Sequence, residues 1–498
     1  MAGRAKPDPP ADTMLTAMSE PAIPNLTTAV DEFAANNFSP SGIVAVARGG
    51  AVLQSLTWGN DGYDVTTPFR IASLTKSFTA LALLTLRRAG LLSLDDEVRR
   101  HLPELKLEAP SDWPTLRIRH LIAMSGGLAT DNPWGDRQES RTREELAAWL
   151  VGGLRLTFPP GSAFEYSNLG YALLGEVIAR ASGQEYQQFV RQNIIDPLGL
   201  RDTRFAAEEL ASSAQGYHRE PMLPGQGGGW TAQTASGPGA FSPIGGLYSS
   251  VRDLVAWAQL YLGREAPAGA DFTAADLREA QQPLTHFVAA PAEAPLRGLM
   301  TRAYGYGLSV ETYPEHGTLI AHAGGYPGFT AYMIWHLESG HAVIASANGT
   351  HSAVPGLARR VMLPIVAGAG RPSAPVEPWP ETISAAQAIE RLVKEAQATD
   401  ATELMRRYAG IFAENVELDF PLSRRIEYLR QGLLSLGALR PKGETPELTT
   451  DRPASAHWSL PTEYGRLELY IELAPVAPYG VQTFSAEVVS GAGRVQLF

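Results

Sequence analysis

The stretch Leu74–Ala89 constrains the fold more than any other part of the chain. Its only charge before Arg87 is Lys76, and apolar residues occupy nearly every face of the helix that the pattern predicts. Such a helix is expected inside a domain, because on a surface its apolar side chains would face water on several sides. The sequence therefore predicts a large core built around this helix.

The segments on either side of this helix predict a sheet. Ile43–Ala47 and Ala51–Leu56 are short apolar runs separated by Arg-Gly-Gly, which is typical of a hairpin, and short β-type runs return between residues 304 and 347. The pattern predicts one mixed sheet whose N- and C-terminal strands meet, faced by helices, in the α+β or α/β class. Helical stretches are predicted near Leu121 and at Arg143–Leu150, Tyr171–Ala181, Tyr186–Ile194 and Leu254–Leu262.

Composition and proline content predict the domain organisation. The 498 residues are 44% hydrophobic and 19% charged, which is enough apolar material for more than one core. We expect a loose tail at 1–24, a large domain at 25–370, a proline-rich linker at 371–383 and a small α+β domain at 384–498. In the last domain helical patterns precede four candidate strands, an order that suits a cystatin-like or NTF2-like fold.

Charge and cysteine content exclude several function classes. The net charge is −11 and the positive charges are scattered, so no nucleic-acid partner is expected. The absence of cysteine excludes disulfides, thiolate catalysis and cysteine-ligated metals. Residues 1–24 contain no apolar run that could serve as a signal-peptide core or membrane anchor, so we expect a cytoplasmic protein with no membrane partner.

Ser73-Leu74-Thr75-Lys76 is an S-x-x-K element where an extended run turns into the buried helix. Residues three apart share one face of a helix, so the Ser73 hydroxyl and the Lys76 ammonium are expected to face the same space. Loss of hydration favours the neutral amine, which makes Lys76 a candidate base for Ser73. The motif alone also fits a lysine that extends from a helix end beside an N-capping serine.

Tyr166-Ser167-Asn168 follows a Pro-Pro-Gly turn and precedes an apolar helix, so it is expected on a loop at the start of that helix. A tyrosine beside a lysine can share its proton, because the cation favours the phenolate, and the pair can then act as general base and acid. Asn168 offers a donor and an acceptor, suited to orienting the lysine and binding a substrate amide. Alone, the triplet is also typical of a turn with a core tyrosine.

His322-Ala323-Gly324-Gly325 lies at the edge of a predicted strand. Glycines there let a substrate backbone approach the strand, and the Gly325 amide is a candidate oxyanion donor together with the amide of Ser73. His322 is expected to offer a polar or cationic contact to a substrate carboxylate. In isolation the element also fits a histidine beside a tight glycine turn.

Taken together, these elements resemble the motifs S-x-x-K, Y-x-N and K/H-x-G of penicillin-recognising serine hydrolases of the class C β-lactamase type. That family includes class C β-lactamases, DD-peptidases, D-aminopeptidases and family VIII esterases. The likeness covers about residues 25–368 and implies an α+β β-lactamase/transpeptidase-like domain, with an antiparallel sheet flanked by helices and a helical subdomain. The segments that carry it are Phe69–Lys76, Ile118–Leu128, Tyr166–Asn168, Gly245–Ser249 and His322–Gly324.

The resemblance implies a serine hydrolase that acts through an acyl-enzyme on amide, peptide or ester bonds and needs no cofactor. It implies a small-molecule or short-peptide substrate. The histidine in the third motif, where β-lactamases of this type usually have lysine, resembles DD-peptidases and D-aminopeptidases and favours peptide or amide substrates. The implied roles are Ser73 as nucleophile, Lys76 and Tyr166 as its proton partners, and Asn168, His322, Gly324 and Gly325 as substrate-binding residues.

Other classes of hydrolase fit the sequence less well. The chain contains neither G-x-S-x-G nor H-E-x-x-H, which disfavours a triad hydrolase and a metal mechanism, and His336, His341 and His351 are expected to be surface residues. An esterase with little peptidase activity and a catalytically silent binding or sensor module remain as alternatives. The C-terminal domain is a candidate surface for homo-oligomer formation.

Overall fold

A computed structural model describes residues 26–36, 38–219, 229–265, 270–287, 301–314, 316–369, 376–440 and 448–498. The chain divides into two compact units, Met1–Pro372 and Ser373–Phe498. The predicted tail at 1–24 lies outside the described residues, as do residues 371–375 of the predicted linker at 371–383. The last residues of that linker belong to a helix that begins at Pro380.

The first unit is built on one antiparallel sheet. Within the described residues it has eight strands in the order β2-β1-β14-β13-β12-β11-β10-β9. They are β1 (Gly42–Arg48), β2 (Ala51–Trp58), β9 (Thr285–His286), β10 (Thr301–Tyr304), β11 (Ser309–Tyr313), β12 (Gly317–Tyr326), β13 (Phe329–His336) and β14 (His341–Ala347). Shorter strands pair outside this sheet, namely β3 (Phe69–Arg70) with β8 (Tyr248–Ser249), β4 (Leu107–Glu108) with β5 (Leu154–Arg155), and β6 (Tyr217–Arg219) with β7 (Trp230–Ala232).

The ends of the domain meet in this sheet, because β1 pairs along its whole length with β14. This confirms the expected meeting of N- and C-terminal strands. The sheet is antiparallel rather than mixed, since β10 to β14 follow one another as neighbouring strands and β1 joins β14 in the antiparallel direction. A parallel neighbour would have needed a crossover connection.

Helices cover both faces of the sheet. The helices α1 (Leu26–Ala35) and α12 (Val354–Ala369) pack on one face. The helices α2 (Thr75–Arg88) and α10 (Val251–Tyr261) belong to the core on the other face. Neither α1 nor α12 was predicted, and a proline inside α12 weakened its helical signal. The helices of this unit are α1 (Leu26–Ala35), α2 (Thr75–Arg88), α3 (Val98–His101), α4 (Ile118–Ile122), α5 (Asn132–Gly135), α6 (Arg143–Gly152), α7 (Asn168–Ser182), α8 (Tyr186–Val190), α9 (Ser242–Gly245), α10 (Val251–Tyr261), α11 (Ala274–Ala280) and α12 (Val354–Ala369).

The central helix α2 is buried as the sequence predicts. Every residue from Thr75 to Leu86 is shielded from solvent. Its Phe78 ring stacks on Trp257 of α10, with ring centroids 3.7 Å apart and planes 6° from parallel. The indole nitrogen of Trp257 donates to the Ser77 hydroxyl at 3.0 Å, so the packing of this helix is specific as well as apolar.

The second unit has the predicted order of helices followed by a strand meander. Its strands form an antiparallel sheet in sequence order, and alternate residues of β16 and β17 face a core that the helices cover. Its resemblance to a cystatin-like or NTF2-like fold stays a prediction. The elements are α13 (Pro380–Glu395), α14 (Ala401–Tyr408), α15 (Glu414–Asp419), α16 (Leu422–Leu436), β15 (Ser455–Pro461), β16 (Gly465–Leu473), β17 (Val481–Ser490) and β18 (Gly493–Gln496).

Two histidines that were expected at the surface are buried. His336 has no exposed surface, and its ring nitrogens lie 2.9 Å from the Ser339 hydroxyl and 2.5 Å from the His316 carbonyl oxygen. His341 is 6% exposed and lies 3.1 Å from the same hydroxyl. The expectation was wrong because β13 and β14 are central strands, and Ser339 in the turn that joins them lies within hydrogen-bond distance of both rings. Of the three, His351 is exposed.

In the part of the chain described, a search of the helices finds none with the length and apolar character needed to span a bilayer.

Candidate active site

Ser73 lies on a 3₁₀ turn, Ala72–Leu74, that leads directly into α2. The residue before it, Ala72, has a positive φ of 50°, a conformation that costs an alanine about 1 kcal/mol or more. The strand β12 crosses this turn closely, since a Cβ on Gly324 would stand 2.3 Å from the Ile71 carbonyl oxygen. The serine is therefore held on a strained turn against the sheet, with 9% of its surface exposed.

Lys76 is one turn further along and has no exposed surface. Its Nζ lies 3.0 Å from Ser73 Oγ, 2.7 Å from Asn168 Oδ1 and 2.8 Å from the carbonyl oxygen of Ile244. Burial lowers the pKa of Lys76 from its ordinary 10.5 to about 7. A neutral amine is therefore accessible near neutral pH.

The partners of Lys76 orient that amine. The oxygens of Asn168 and Ile244 can only accept hydrogen bonds, so the two N–H groups of a neutral amine point to them. Its lone pair is then left for the third partner, the hydroxyl of Ser73. The geometry makes Lys76 an acceptor for the Ser73 proton.

Tyr166 completes the group around the serine. Its hydroxyl interacts with the hydroxyl of Ser73, and its ring centroid lies 5.0 Å from Lys76 Nζ. Burial raises the pKa of Tyr166 above its ordinary value of 10. The side chain is therefore a neutral phenol in this structure, in contrast to the phenolate that we expected the neighbouring cation to favour.

Asn168 is the first residue of α7 and is held from several sides. The preceding Ser167 caps the helix by accepting from the amide of Gly170 at 3.2 Å. The Oδ1 of Asn168 accepts from Lys76, and the Nδ2 of Asn168 donates to Asn132 Oδ1 at 3.0 Å. The predicted orienting contact with the lysine is present in the geometry, and contact with a substrate stays a prediction.

Asp131 supports this arrangement and was missed by sequence reasoning. Its two carboxylate oxygens accept from the amides of Asn168 at 2.7 Å and Leu169 at 2.8 Å. An aspartate 37 residues upstream of the helix it caps leaves no local spacing signal, because capping motifs are read within one turn of the helix start. Only the tertiary structure shows it.

His322 lies on β12 beside Tyr304 and Tyr166. Its Nδ1 is 2.7 Å from the carbonyl oxygen of Ala323, and its Nε2 is 2.9 Å from the hydroxyl of Tyr304. Burial and the nearby Lys76 lower the pKa of His322 from 6.5 to about 3. The ring is therefore neutral, which does not fit the cationic contact considered for it, and both nitrogens have protein partners.

Gly325 lies in a part of β12 that no longer pairs with β11. Tyr326 and Phe329 close a two-residue turn, so the next pair, Gly325 and Thr330, is of the non-hydrogen-bonded kind. The amide of Gly325 consequently points away from β13, and on the opposite side β11 pairs with β12 only as far as Ala321. This amide is thus directed to an open edge of the sheet.

A buried ion pair lies behind the lysine and was also missed by sequence reasoning. Arg70 and Glu139 approach to 3.2 Å with no side-chain exposure. Burial raises the pKa of Glu139, and the charge of Arg70 opposes that rise. Among the described residues, no group of three or more His, Asp or Glu side chains is placed to hold a metal ion.

Residues 26–365 match the family model described as Beta-lactamase. The chain belongs to the Beta-lactamase family. Homologues in this family are serine hydrolases that act on amides and esters. The match runs from the first residue of α1 into α12 and stops before the second unit.

Relatives of known sequence agree with this assignment. The chain is 28% identical to penicillin-binding protein 4* of Bacillus subtilis over 329 residues, an alignment that covers 62% of this chain and 68% of that protein. It is 26% identical to protein flp of Staphylococcus aureus over 340 residues, an alignment that covers 66% of this chain and 63% of that protein. The chain thus spans about two thirds of the length of these relatives.

Solved structures support the fold. An octameric penicillin-binding protein homologue from Pyrococcus abyssi aligns with a TM-score of 0.58 at 20% identity, over 95% of this chain and 99% of that chain. A D-stereospecific amidohydrolase from a Streptomyces species aligns with a TM-score of 0.54 at 22% identity, over 69% of this chain and 99% of that one. A class C β-lactamase aligns with a TM-score of 0.56 at 18% identity, covering 68% and 94% of the two chains.

Proposed function

We propose that this protein hydrolyses ester or amide bonds of small molecules or short peptides through an acyl-enzyme on Ser73. The observation that carries the proposal is the 3.0 Å contact between Ser73 Oγ and Lys76 Nζ, an amine with no exposed surface whose other two partners are oxygens that only accept. A hydroxyl next to a correctly directed lone pair is an activated nucleophile.

The proposed reaction has two steps. Ser73 Oγ attacks the carbonyl carbon while its proton passes to Lys76, and the amides of Ser73 and Gly325 donate to the developing oxyanion. Tyr166, a neutral phenol, gives a proton to the leaving group and is reprotonated from the Lys76 ammonium. Water then attacks the acyl-enzyme, releases the acid and returns the proton to Ser73.

The proposed substrate carries no carboxylate against His322. A neutral ring with both nitrogens engaged offers no charge to a substrate anion. The partly exposed rings of Phe164 and Phe287 stack at 4.3 Å, and the ring of Phe164 lies 6.0 Å from that of Tyr304, which favours an apolar group there. The likeness in fold to a D-stereospecific amidohydrolase makes D-amino-acid amides a substrate class to include with esters.

The test is covalent labelling and turnover of matched serine variants. The wild type is expected to gain the mass of one fluorophosphonate adduct and to hydrolyse p-nitrophenyl esters, and Ser73→Ala is expected to lose both. Ser162→Ala removes an exposed serine and serves as the control that keeps both activities. An adduct that persists in Ser73→Ala, or a wild type that is neither labelled nor active, would overturn the proposal, and the second result favours a silent binding module.

We further propose a cytoplasmic location and self-association through the second unit. Self-association is supported by the alignment of 95% of the chain with an octameric homologue, and by two exposed apolar side chains, Leu434 and Tyr464, near the end of α16. Light scattering of the purified protein should give a multiple of 53.5 kDa, and the variant L434S/Y464S should give a smaller mass. A monomeric wild type would contradict the proposed self-association. Recovery of the protein in a membrane or extracellular fraction would contradict the proposed location.

A further inference from the structure

We propose that the buried pair Arg70–Glu139 is a positioning unit for the catalytic base, because it holds the turn whose Ile244 carbonyl orients the Lys76 amine. The proposal rests on the proposed function, since it gives the pair a role in the reaction at Ser73. It concerns residues that lie outside the three motifs that predicted the site.

Glu139 holds the beginning of this turn. The turn is α9, Ser242–Gly245, and the hydroxyl of Ser242 donates to Glu139 Oε1 at 2.7 Å. The following Gly246 leaves no space for a side chain, because a Cβ there would stand 2.6 Å from the same carboxylate oxygen. The Glu139 carboxylate therefore holds the turn in position and lies close against its backbone.

Arg70 holds its end. Its Nε donates to the carbonyl oxygen of Gly245 at 3.3 Å, and its Nη1 donates to that of Ser236 at 3.0 Å. The guanidinium lies between two rings, 5.1 Å from the centroid of Tyr248 and 4.3 Å from that of Tyr326 at the end of β12. The arginine thus links this turn to the strand that carries the candidate oxyanion amide.

The Lys76 contact comes from the residue between these two anchors. Ile244 carries the carbonyl that accepts from Lys76 at 2.8 Å, with Ser242 and Gly245 on either side of it in the chain. A second bond, from Thr79 to the carbonyl of Pro243 at 2.8 Å, fixes the same turn to α2. A displacement of this carbonyl would free one N–H of the amine and let its lone pair turn away from Ser73.

The pair carries charge as well as geometry. A buried ion pair is seldom a net gain in stability, because both charges lose their hydration, so its presence beside a reactive amine calls for another explanation. The charged and titratable groups around Lys76 are Asp131 and Asp136 from the loop around α5, Glu139 after it, Tyr166 before α7, Tyr171 within α7, and His322 on β12. The positive charge of Arg70 favours the ionised form of Glu139, against burial, which raises the pKa of that carboxyl.

The experiment compares four variants by steady-state kinetics on p-nitrophenyl acetate, with rates normalised to the sites that a fluorophosphonate labels. In Glu139→Gln the plateau kcat is expected to fall about 10- to 100-fold with KM within about twofold, as for a small misplacement of a catalytic group. Its acid limb should also move to lower pH, because one negative charge near the ammonium is gone. Arg70→Lys keeps a cation but loses the planar fork, and should lower kcat to a similar extent.

Two further variants separate positioning from stability. Ser242→Ala removes the bond between Glu139 and the turn, together with the bonds that this hydroxyl accepts from Gln187 and from the Gly239 amide, without a change of charge. The kcat should therefore fall and the acid limb should stay close to that of the wild type. Glu176→Gln removes a carboxylate of similar burial that pairs with Arg143, and should lower the melting temperature with kcat and pH profile unchanged.

The outcomes distinguish the two proposals. If Glu139→Gln and Ser242→Ala keep the wild-type kcat and acid limb per labelled site, the pair is merely structural and this inference is overturned while the proposed function stands. If the wild type itself shows neither label nor turnover, both fail. A variant that yields little folded protein is still informative, because each rate refers to labelled sites.

Discussion

The hydroxyl of Tyr304 donates a hydrogen bond to Nε2 of His322 across 2.9 Å. The direction of that bond follows from the other ring nitrogen, which faces the carbonyl oxygen of Ala323 at 2.7 Å and must carry the proton. Tyr304 is buried and its pKa is raised well above 10, so it remains a donor. The pair locks an uncharged imidazole at a position where lysine is usual in β-lactamases of this type.

Replacement of this histidine by lysine should change the choice of substrate. Two phenyl esters are compared, one with a carboxylate on its leaving group and one without. In His322→Lys, kcat/KM for the charged ester relative to that for the uncharged ester is expected to rise about 10-fold, because the lysine adds one charge-assisted contact. The wild type should favour the uncharged ester. Tyr304→Phe is the matched control, because it frees Nε2 without adding a stable charge, and it should leave the ratio near that of the wild type. A wild type that prefers the ester with the carboxylate would contradict the conclusion that the His322 ring is neutral.

The pH dependence of acylation should report Lys76. Its pKa of about 7 means that the neutral amine predominates above pH 7 and falls about tenfold for each pH unit below it, so the rate should fall with it. Single-turnover acylation by an activated ester, followed from pH 5 to 9, measures this limb. Lys76→Arg cannot supply a lone pair and should lose at least about 10²-fold at every pH. A flat profile would exclude the amine as base.

The neighbouring glycines of β12 should differ sharply in tolerance. A Cβ on Gly324 would stand 2.3 Å from the Ile71 carbonyl oxygen, so Gly324→Ala must displace the turn that carries Ser73 and should nearly abolish activity. Among the described residues, nothing lies within 4 Å of a Cβ on Gly325, and the alanine keeps the amide, so Gly325→Ala should remain within a fewfold of wild type. Equal losses in kcat/KM would contradict this geometry.

Removal of the Asp131 carboxylate should destabilise the start of α7. Asp131→Ala leaves the amides of Asn168 and Leu169 without their acceptor, and we expect the first unit to lose about 1 to 2 kcal/mol of unfolding free energy. Urea unfolding followed by tryptophan fluorescence measures this loss. The exposed Asp112→Ala is a control with the same change of charge. No difference between the two variants would show that the cap contributes nothing.

Local sequence patterns predicted much of the first unit, because the strongest patterns there depend on residues that are close together in the chain. The apolar faces of α2 require burial, and the spacing of Ser73 and Lys76 on one helical turn brings their side chains together whatever surrounds them. The glycines after His322 were expected to let a substrate backbone approach β12, which stays a prediction; at Gly324 it is the chain's own backbone that lies close, since a Cβ there would stand 2.3 Å from the Ile71 carbonyl oxygen. The helices α1 and α12 were not predicted, since their burial depends on a sheet assembled from distant segments.

What the sequence by itself determined, then, is the set of reactive groups and the family to which they belong: a hydroxyl and an amine one helical turn apart, a tyrosine before a helix, and a glycine-rich strand. What only the tertiary structure decided is their state. The lowered pKa of Lys76, the neutral rings of Tyr166 and His322, and the support from Asp131 and the Arg70–Glu139 pair all arise from groups that are far apart in the chain. Desolvation and hydrogen-bond direction depend on what surrounds an atom in space, and no local pattern records that.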